Sequence, residues 1–249
     1  MDKVKKLKIL ESLFKWRILS RKKFHKLKAE IIRGGTITNV LPTIEQFKTV
    51  KISNQIWMLE NLNVSNFRNG EEIPEVKTDD EWKNSGEQGK PAWCYYNNDP
   101  ENGKKFGKLY NCYALMDSRG LAPKGWHVPS NEDWHKLIDN IGGESESGIK
   151  MKSTSGWNEN GNGNNITGFT ALPGGQRSGN GSFYGIGNTG YWWSSTEKGS
   201  DWTYGVWYHA ISKSVGDVHR DYENEENGFS VRCICILQDL VLGQSDFHT

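Results

Sequence analysis

The sequence predicts an α+β domain with short strands, two main helices and a loop-rich half, preceded by a basic N-terminal helix. Two segments pair a helix-capping residue with apolar residues at helical spacing. Short β-prone runs are scattered between residues 50 and 233. The 28 Gly and 11 Trp indicate many turns around a core closed by large rings.

Charge is unevenly divided along the 249 residues, although the net charge is only +1. Residues 1–33 hold twelve Lys or Arg and three Asp or Glu, a net charge of +9, so the rest carries about −8. The sequence contains no run of 18 apolar residues, so it does not predict a membrane-spanning helix. An unbroken apolar region typical of a signal peptide and an early Cys for a lipid anchor are not visible.

Residues 1–35 are predicted to form a basic amphipathic helical arm that Gly34 and Gly35 end, with apolar residues at three- and four-residue steps. Such an arm could contact an anionic membrane, a partner helix or an oligomer mate, or remain solvated. No nucleic-acid partner is expected. Residues 36–49 form a linker, and we expect residues 1–33 to be dispensable for folding of the body.

The first half of the body contains strands, one helix and a loop. Two short strands flank the turn at Ser53 and Asn54. Thr78 and Glu81 form a capping box that starts a short helix with Trp82 facing inward. The segment NNDPENGKKFG at 97–107 is predicted to be a turn-rich loop.

The segment SNEDWHKLIDNIGG gives the clearest local pattern. Ser130 is a natural N-cap and Asp133 completes a capping box, while Gly142 is placed to end the helix. One apolar stripe faces the core: Trp134, Leu137, Ile138 and Ile141.

The last third places an irregular insert between two core strands. YWWSSTE at 191–197 and GFSVRC at 228–233 are predicted strands, and GFTALPGG at 168–175 is predicted to be a strand running into a tight turn. Residues 201–222 lie between the predicted strands at 191–197 and 228–233 and are rich in aromatic residues. Binding residues concentrate on loops held by a rigid scaffold. Alternatively, the aromatics of this segment fill the core.

Seven motifs in order resemble the Fibrobacter succinogenes major paralogous domain: NQIWMLENLNV, FRNGEEIPE, PAWCYYNNDPENGKKFGKLYN, GLAPKGWHVPSNEDW, GFTALPGG, GYWWSSTE and NGFSVRC. The resemblance implies a domain at 50–237, followed by a tail at 238–249. It implies a C-type-lectin-like fold, distantly similar to sulfatase-modifying enzymes. Similar proteins are typically surface or secreted proteins of Bacteroidetes-like bacteria. Some vary the segment after WWSST by diversity-generating retroelements.

Three features depart from this pattern. The usual export signal or lipid anchor is not visible, so the location stays open. The arm lies outside the resemblance, and Cys112 stands where Trp is common. Because lectin-type Glu-Pro-Asn and Trp-Asn-Asp triplets are missing from the sequence, sugar binding does not follow from the fold.

The leading hypothesis is a recognition module that binds a protein or glycan through residues 201–222. A structural or assembly component of a phage or surface fibre is an alternative. An enzyme of the sulfatase-modifying type would need a reactive Cys pair, so no catalytic residue is expected. No cofactor is expected either, although calcium could bind oxygen ligands in the loop of Asn98, Asp99, Glu101 and Asn102.

Alternation along the insert selects the predicted ligand-binding residues. Trp207 and Ile211 should face inward and Tyr208 and Ala210 outward, whereas His209 shares the inward face and should either line the rim or mark a bulge in the strand. The flanking Trp192, Trp193, Phe229 and Val231 should be buried. The predicted ligand-binding set is Trp202, Tyr204, Tyr208, Ala210, Ser212, Ser214, Asp217, His219 and Asp221.

The four cysteines are too few for a disulfide scaffold and lack zinc-site spacing. The resemblance places the segments of Cys94 and Cys233 in the core, so these two are the disulfide candidate in an oxidising compartment. Four reduced, buried thiols are the alternative.

Overall fold

The computed structural model describes residues 3, 4, 7, 10, 11, 21–33, 47–199 and 205–236. Predicted site residues Trp202 and Tyr204, most of the linker and the tail at 238–249 lie outside the described residues. The described residues form an α+β structure, which confirms the predicted class.

The described residues contain six α-helices, one 3-10 turn and ten strands. The helices are α1 (Arg21–Ile32), α2 (Asp79–Glu87), α3 (Pro100–Phe106), α4 (Cys112–Met116), α5 (Asn131–Asn140) and α6 (Glu144–Met151), and the 3-10 turn is Tyr96–Asn98. The strands are β1 (Thr49–Ile52), β2 (Gln55–Met58), β3 (Trp93–Cys94), β4 (Leu109–Tyr110), β5 (Gly174–Arg177), β6 (Phe183–Ile186), β7 (Thr189–Lys198), β8 (Gly205–Ser212), β9 (His219–Glu223) and β10 (Ile234–Ile236).

Three sheets organise these strands. The first has the order β1-β2-β10, the second pairs β3 with β4, and the third has the order β6-β5-β7-β8-β9. All pairings are antiparallel except β5 with β7. Since Ile234 of β10 pairs with Trp57 of β2, the last strand closes the sheet that the first hairpin opens.

Helices α2 and α5 begin at the predicted capping boxes. Thr78 accepts a hydrogen bond from the Glu81 amide, and Ser130 accepts one from the Asp133 amide, while each acidic side chain accepts from its cap residue in return. Burial opposes ionisation of Asp133, but hydrogen bonds from His127 and Ser130 hold the pKa of Asp133 below its usual value.

Several predicted elements are corrected. The expected loop at 97–107 contains α3, because Asp99 caps the helix and Pro100 occupies its first position. Helices α4 and α6 are present in addition to the two main helices that the sequence predicts. The predicted strand at 168–175 forms only a bridge at Ala171 before β5 begins at Gly174, and the predicted strand at 228–233 consists of isolated bridges.

The core confirms the expected frame: Trp192, Trp193, Phe229 and Val231 are all buried. The alternating polar residues of the last motif, Ser230 and Arg232, are buried as well. Both sides of this segment are therefore covered, so its period-2 pattern does not separate a core face from a solvent face.

Buried residues of the N-terminal region belong to the main core cluster. Leu10, Phe24 and Ile31 lie in the same cluster as Ile56 and Trp193 of the body. This burial argues against the expectation that residues 1–33 are dispensable for folding, because apolar burial contributes stability.

Cys94 and Cys233 are free, buried thiols, so the predicted disulfide does not join them in this structure. Cys94 pairs with Leu109 in the β3–β4 sheet. The carbonyl oxygen of Cys233 instead accepts a hydrogen bond from the amide of Met58. The two cysteines also belong to different core clusters.

Candidate functional site

The β8–β9 hairpin, with the end of β7, separates side chains of opposite charge onto two faces. Residues directly opposite each other in an antiparallel pair point to the same face. The register therefore places Lys198, Trp207, His209, Ile211, Arg220 and Tyr222 on one face, which we call the basic face. It places Glu197, Val206, Tyr208, Ala210, His219, Asp221 and Glu223 on the other, the acidic face.

The inner half of the basic face is covered by α5. His209 has 0% exposure and stacks on Trp134, with ring centroids 4.7 Å apart and an angle of 17° between the ring planes. Neither ring nitrogen of His209 has a hydrogen-bond partner. Burial, with smaller contributions from His135 and Arg220, lowers the pKa of His209 to about 3, so the ring is neutral.

The outer half of the basic face consists of Lys198, Trp207, Arg220 and Tyr222. These aromatic rings and cations are at least partly exposed. Trp207 and Tyr222 make an edge contact at 5.8 Å between centroids. The Lys198 ammonium lies 3.0 Å from the centre of the Tyr222 ring, and the Arg220 guanidinium lies 4.7 Å from that of Trp207. Arg220 Nη1 also donates to His135 Nε2 at 2.7 Å. These contacts hold both cations at the sheet surface.

The acidic face is partly closed by the last motif. Tyr208 is half-buried against Phe229, at 4.9 Å between ring centroids, and burial raises its pKa to about 12. Ala210 is only 7% exposed. The prediction that Ala210 faces solvent is therefore wrong, because alternation along one strand does not show which face other segments cover.

The predicted inward residues divide between the two halves of the hairpin. Ile211 is buried as expected, and His209 lies deep under α5 rather than at a rim. Trp207 remains half-buried, and its ring contacts are with Tyr222, Lys198 and Arg220 instead of with α5. The irregularity in the pairing falls between Trp193 and Glu197, away from His209.

The loop joining β8 to β9 is fixed by a buried ammonium. Lys152 Nζ donates to the carbonyl oxygens of Ser212 at 3.1 Å, Lys213 at 3.5 Å and Val215 at 3.0 Å. Lys152 is 3% exposed, and burial lowers its pKa. Gly148 of α6 also lies against this loop, where a Cβ would collide with backbone oxygens. The contacts of Lys152 and Gly148 thus fix the position of the loop backbone.

The remaining predicted residues form no single cluster. Ser214 and His219 are exposed, and Ser212, Asp217 and Asp221 are partly exposed. Ser212 and Ser214 hydroxyls lie 3.1 Å apart, and His219 Nε2 lies 3.7 Å from Asp221 Oδ2. Sequence reasoning missed the cluster on the outer basic face: Lys198, Trp207, Arg220 and Tyr222. This cluster could have been identified from aromatic and basic residues at alternate positions of the two strands, because alternate positions share one face.

Among the described residues, no group of three His, Cys, Asp or Glu side chains could hold a metal ion. In the loop considered for calcium, Asp99 caps α3 and Glu101 pairs with Lys104 at 2.5 Å. No helix within the described ranges is both long and apolar enough to cross a membrane.

Cys94, Cys112 and Cys233 are poorly disposed to ionise. Burial raises the pKa of Cys94 and of Cys233 to about 12, and it also raises the pKa of Cys112. Because the thiolate is the nucleophilic form, these three thiols are weak nucleophiles at neutral pH.

Comparison with known families decides the classification. The model of the Fibrobacter succinogenes major domain family matches residues 50–235. The chain belongs to this family. The Fibrobacter succinogenes major domain thus runs from β1 to β10, and the β8–β9 hairpin lies inside it. No curated protein and no solved structure gives a significant match.

Proposed function

We propose that this Fibrobacter succinogenes major domain is a recognition module that presents residues 201–222 to a protein or glycan ligand. The observation that carries the proposal is the half-exposed cluster of Trp207, Tyr222, Lys198 and Arg220 on a hairpin whose base is buried. Aromatic side chains offer a large contact area and have few rotatable bonds that binding must immobilise. Their polar neighbours can adapt their hydrogen bonds to the ligand.

The mechanical arrangement suits such a role. Lys152 fixes the β8–β9 loop, and His209 packs under α5. Side chains at the outer end of the hairpin can therefore change while these buried contacts keep the hairpin in place. In this proposal the domain has the C-type-lectin-like fold that its motifs imply, and a retroelement diversifies the segment. The proposed role is binding and not catalysis.

A protein and glycan array with the purified chain tests the proposal. A bound ligand should be lost when Trp207 and Tyr222, together with Ser212, Ser214, His219 and Asp221, are exchanged for the residues of a sibling copy. The unfolding free energy should stay within about 1 kcal/mol, because these side chains are at least partly exposed. Retained binding by a folded variant would contradict the role of these residues.

A comparison of sibling copies in one genome tests diversification separately. Differences confined to residues 201–222 support a variable recognition segment. A fixed polar cluster in that segment favours a catalytic role and contradicts the proposal.

A further inference from the structure

We propose that the outer half of the basic face binds an acidic polypeptide segment. This inference rests on the proposed recognition function and specifies the ligand chemistry. The binding residues are Lys198 and Arg220, held by the rings of Tyr222 and Trp207.

The first argument is unbalanced charge. Within the described residues, neither Lys198 nor Arg220 forms an ion pair with a carboxylate, and their contacts are with aromatic rings and with Nε2 of His135. Nearby Lys136 and Lys213 are paired, with Glu132 at 2.6 Å and Glu159 at 2.5 Å. The basic face therefore offers cations that an incoming carboxylate can neutralise.

The second argument is the separation of charge by the sheet. Glu197, Asp221 and Glu223 lie on the acidic face by register, so the strands stand between them and the two cations. An acidic ligand on the basic face is attracted by the near cations, while the carboxylates project to the opposite side. The placement thus favours one sign of ligand on one side of the hairpin.

The third argument is preorganisation. The hydrogen bond from Arg220 to His135 and the two cation–ring contacts restrain side chains that are otherwise flexible. Arg220 keeps donors beyond the one used by His135, and a guanidinium fork matches a carboxylate. Restrained donors lose less conformational freedom when a ligand binds.

A polypeptide fits better than a sugar for two reasons. Each ring already has a cation over a face, so that face is not free to stack on a pyranose. Moreover, β9 is an edge strand that pairs only with β8 among the described strands. An extended chain can run beside such an edge, while its carboxylates reach the cations.

The test uses the full chain and fluorescein-labelled deca-glutamate, with fluorescence anisotropy at low salt as the measurement. The double variant K198Q/R220Q should weaken binding at least tenfold. The matched control K83Q/K104Q removes the same charge from exposed lysines paired on α2 and α3, and should weaken binding less than twofold. Equal weakening by both pairs would overturn the proposal.

Two further arms separate other sources of binding. Carbodiimide cross-linking should join the peptide to Lys198, and cross-links confined to lysines within residues 1–33 would overturn the site. An oligogalacturonate of equal charge should bind at least fivefold more weakly than the peptide. Equal or tighter binding of the oligosaccharide would overturn the assignment to a polypeptide.

A charge reversal guards against loss of folding as an explanation. K198E/R220E, checked by its thermal unfolding, should lose deca-glutamate and gain deca-lysine. A folded variant that still binds deca-glutamate with unchanged affinity contradicts the inference. If the inference fails while an array ligand still depends on residues 201–222, the recognition function stands with a different ligand chemistry.

Discussion

Asn61 holds the buried guanidinium of Arg232 through a single oxygen. Asn61 Oδ1 lies 3.0 Å from Arg232 Nε and 2.7 Å from Nη2. The same oxygen accepts from Trp192 Nε1 at 2.9 Å. Arg232 also lies over the Phe169 ring, 4.4 Å from its centre, and donates to the Phe169 carbonyl oxygen. A neutral amide and a ring face thus stabilise this charge, although burial lowers the pKa of Arg232 to about 9.

Asn61→Ala should reduce the unfolding free energy by about 3 kcal/mol, because it removes the acceptor of three buried N–H donors. Urea denaturation measures the loss. Asn63→Ala is the matched control at an exposed position and should change stability by less than about 0.5 kcal/mol. A loss below about 1 kcal/mol for Asn61→Ala would show that the cluster is not critical.

Acidification should destabilise the fold through His209. Its pKa is about 3 in the folded chain and near 6.5 when unfolded, so between these values only the unfolded state takes up the proton. Stability therefore falls as pH drops, by about 2 kcal/mol between pH 7.5 and 5. His135, Arg220 and His219 add to the electrostatic cost of a charged ring.

Guanidinium denaturation across this pH range checks the effect. His209→Phe should remove most of the slope and keep the stack on Trp134, whereas the exposed His219→Gln should leave the slope unchanged. The assignment to His209 fails when the wild-type chain and His209→Phe lose equal free energy on acidification.

Lys152→Met should loosen the β8–β9 loop and cost about 3 kcal/mol. The substitution leaves the carbonyl oxygens of Ser212, Lys213 and Val215 without their shared donor. Amide hydrogen exchange should quicken at residues 212–217. The exposed Lys136→Met serves as the control, and similar exchange in the two variants would contradict the role of Lys152.

A chain starting at Thr43 should melt more than about 10 °C below the full chain. The truncation removes Leu10, Phe24 and Ile31, whose burial contributes about 1.5–3 kcal/mol each. In the full chain, Phe24→Ala should lower the melting temperature and the exposed Ile32→Ala should not. Unchanged melting of the shorter chain would restore the sequence prediction that the arm is dispensable.

Local chemistry explains what the sequence could predict. Helix α5 depends on a cap at Ser130 and a stripe within ten residues, and all of these are visible in one segment. The cluster of Asn61 and Arg232 joins residues 171 positions apart, so no short-range pattern reveals it. The alternation around Arg232 predicted strand geometry but not that separate segments cover both sides.

The candidate site shows the same limit. Alternation assigns Trp207 and His209 to one face, but only the position of α5 decides that His209 is buried and Trp207 is not. Likewise, Tyr208 loses exposure to Phe229, which lies in a later segment of the chain. The register between strands, which places Lys198 beside Tyr222, is a long-range property.

The ammonium of Lys152 has a wider consequence for the surface above it. Three carbonyl oxygens converge on this nitrogen, much as they would converge on a bound monovalent ion. Here the cation is covalently attached to the chain, so a chelator cannot remove it and dilution cannot release it. The loop between β8 and β9 should therefore keep one shape in media that differ widely in dissolved ions.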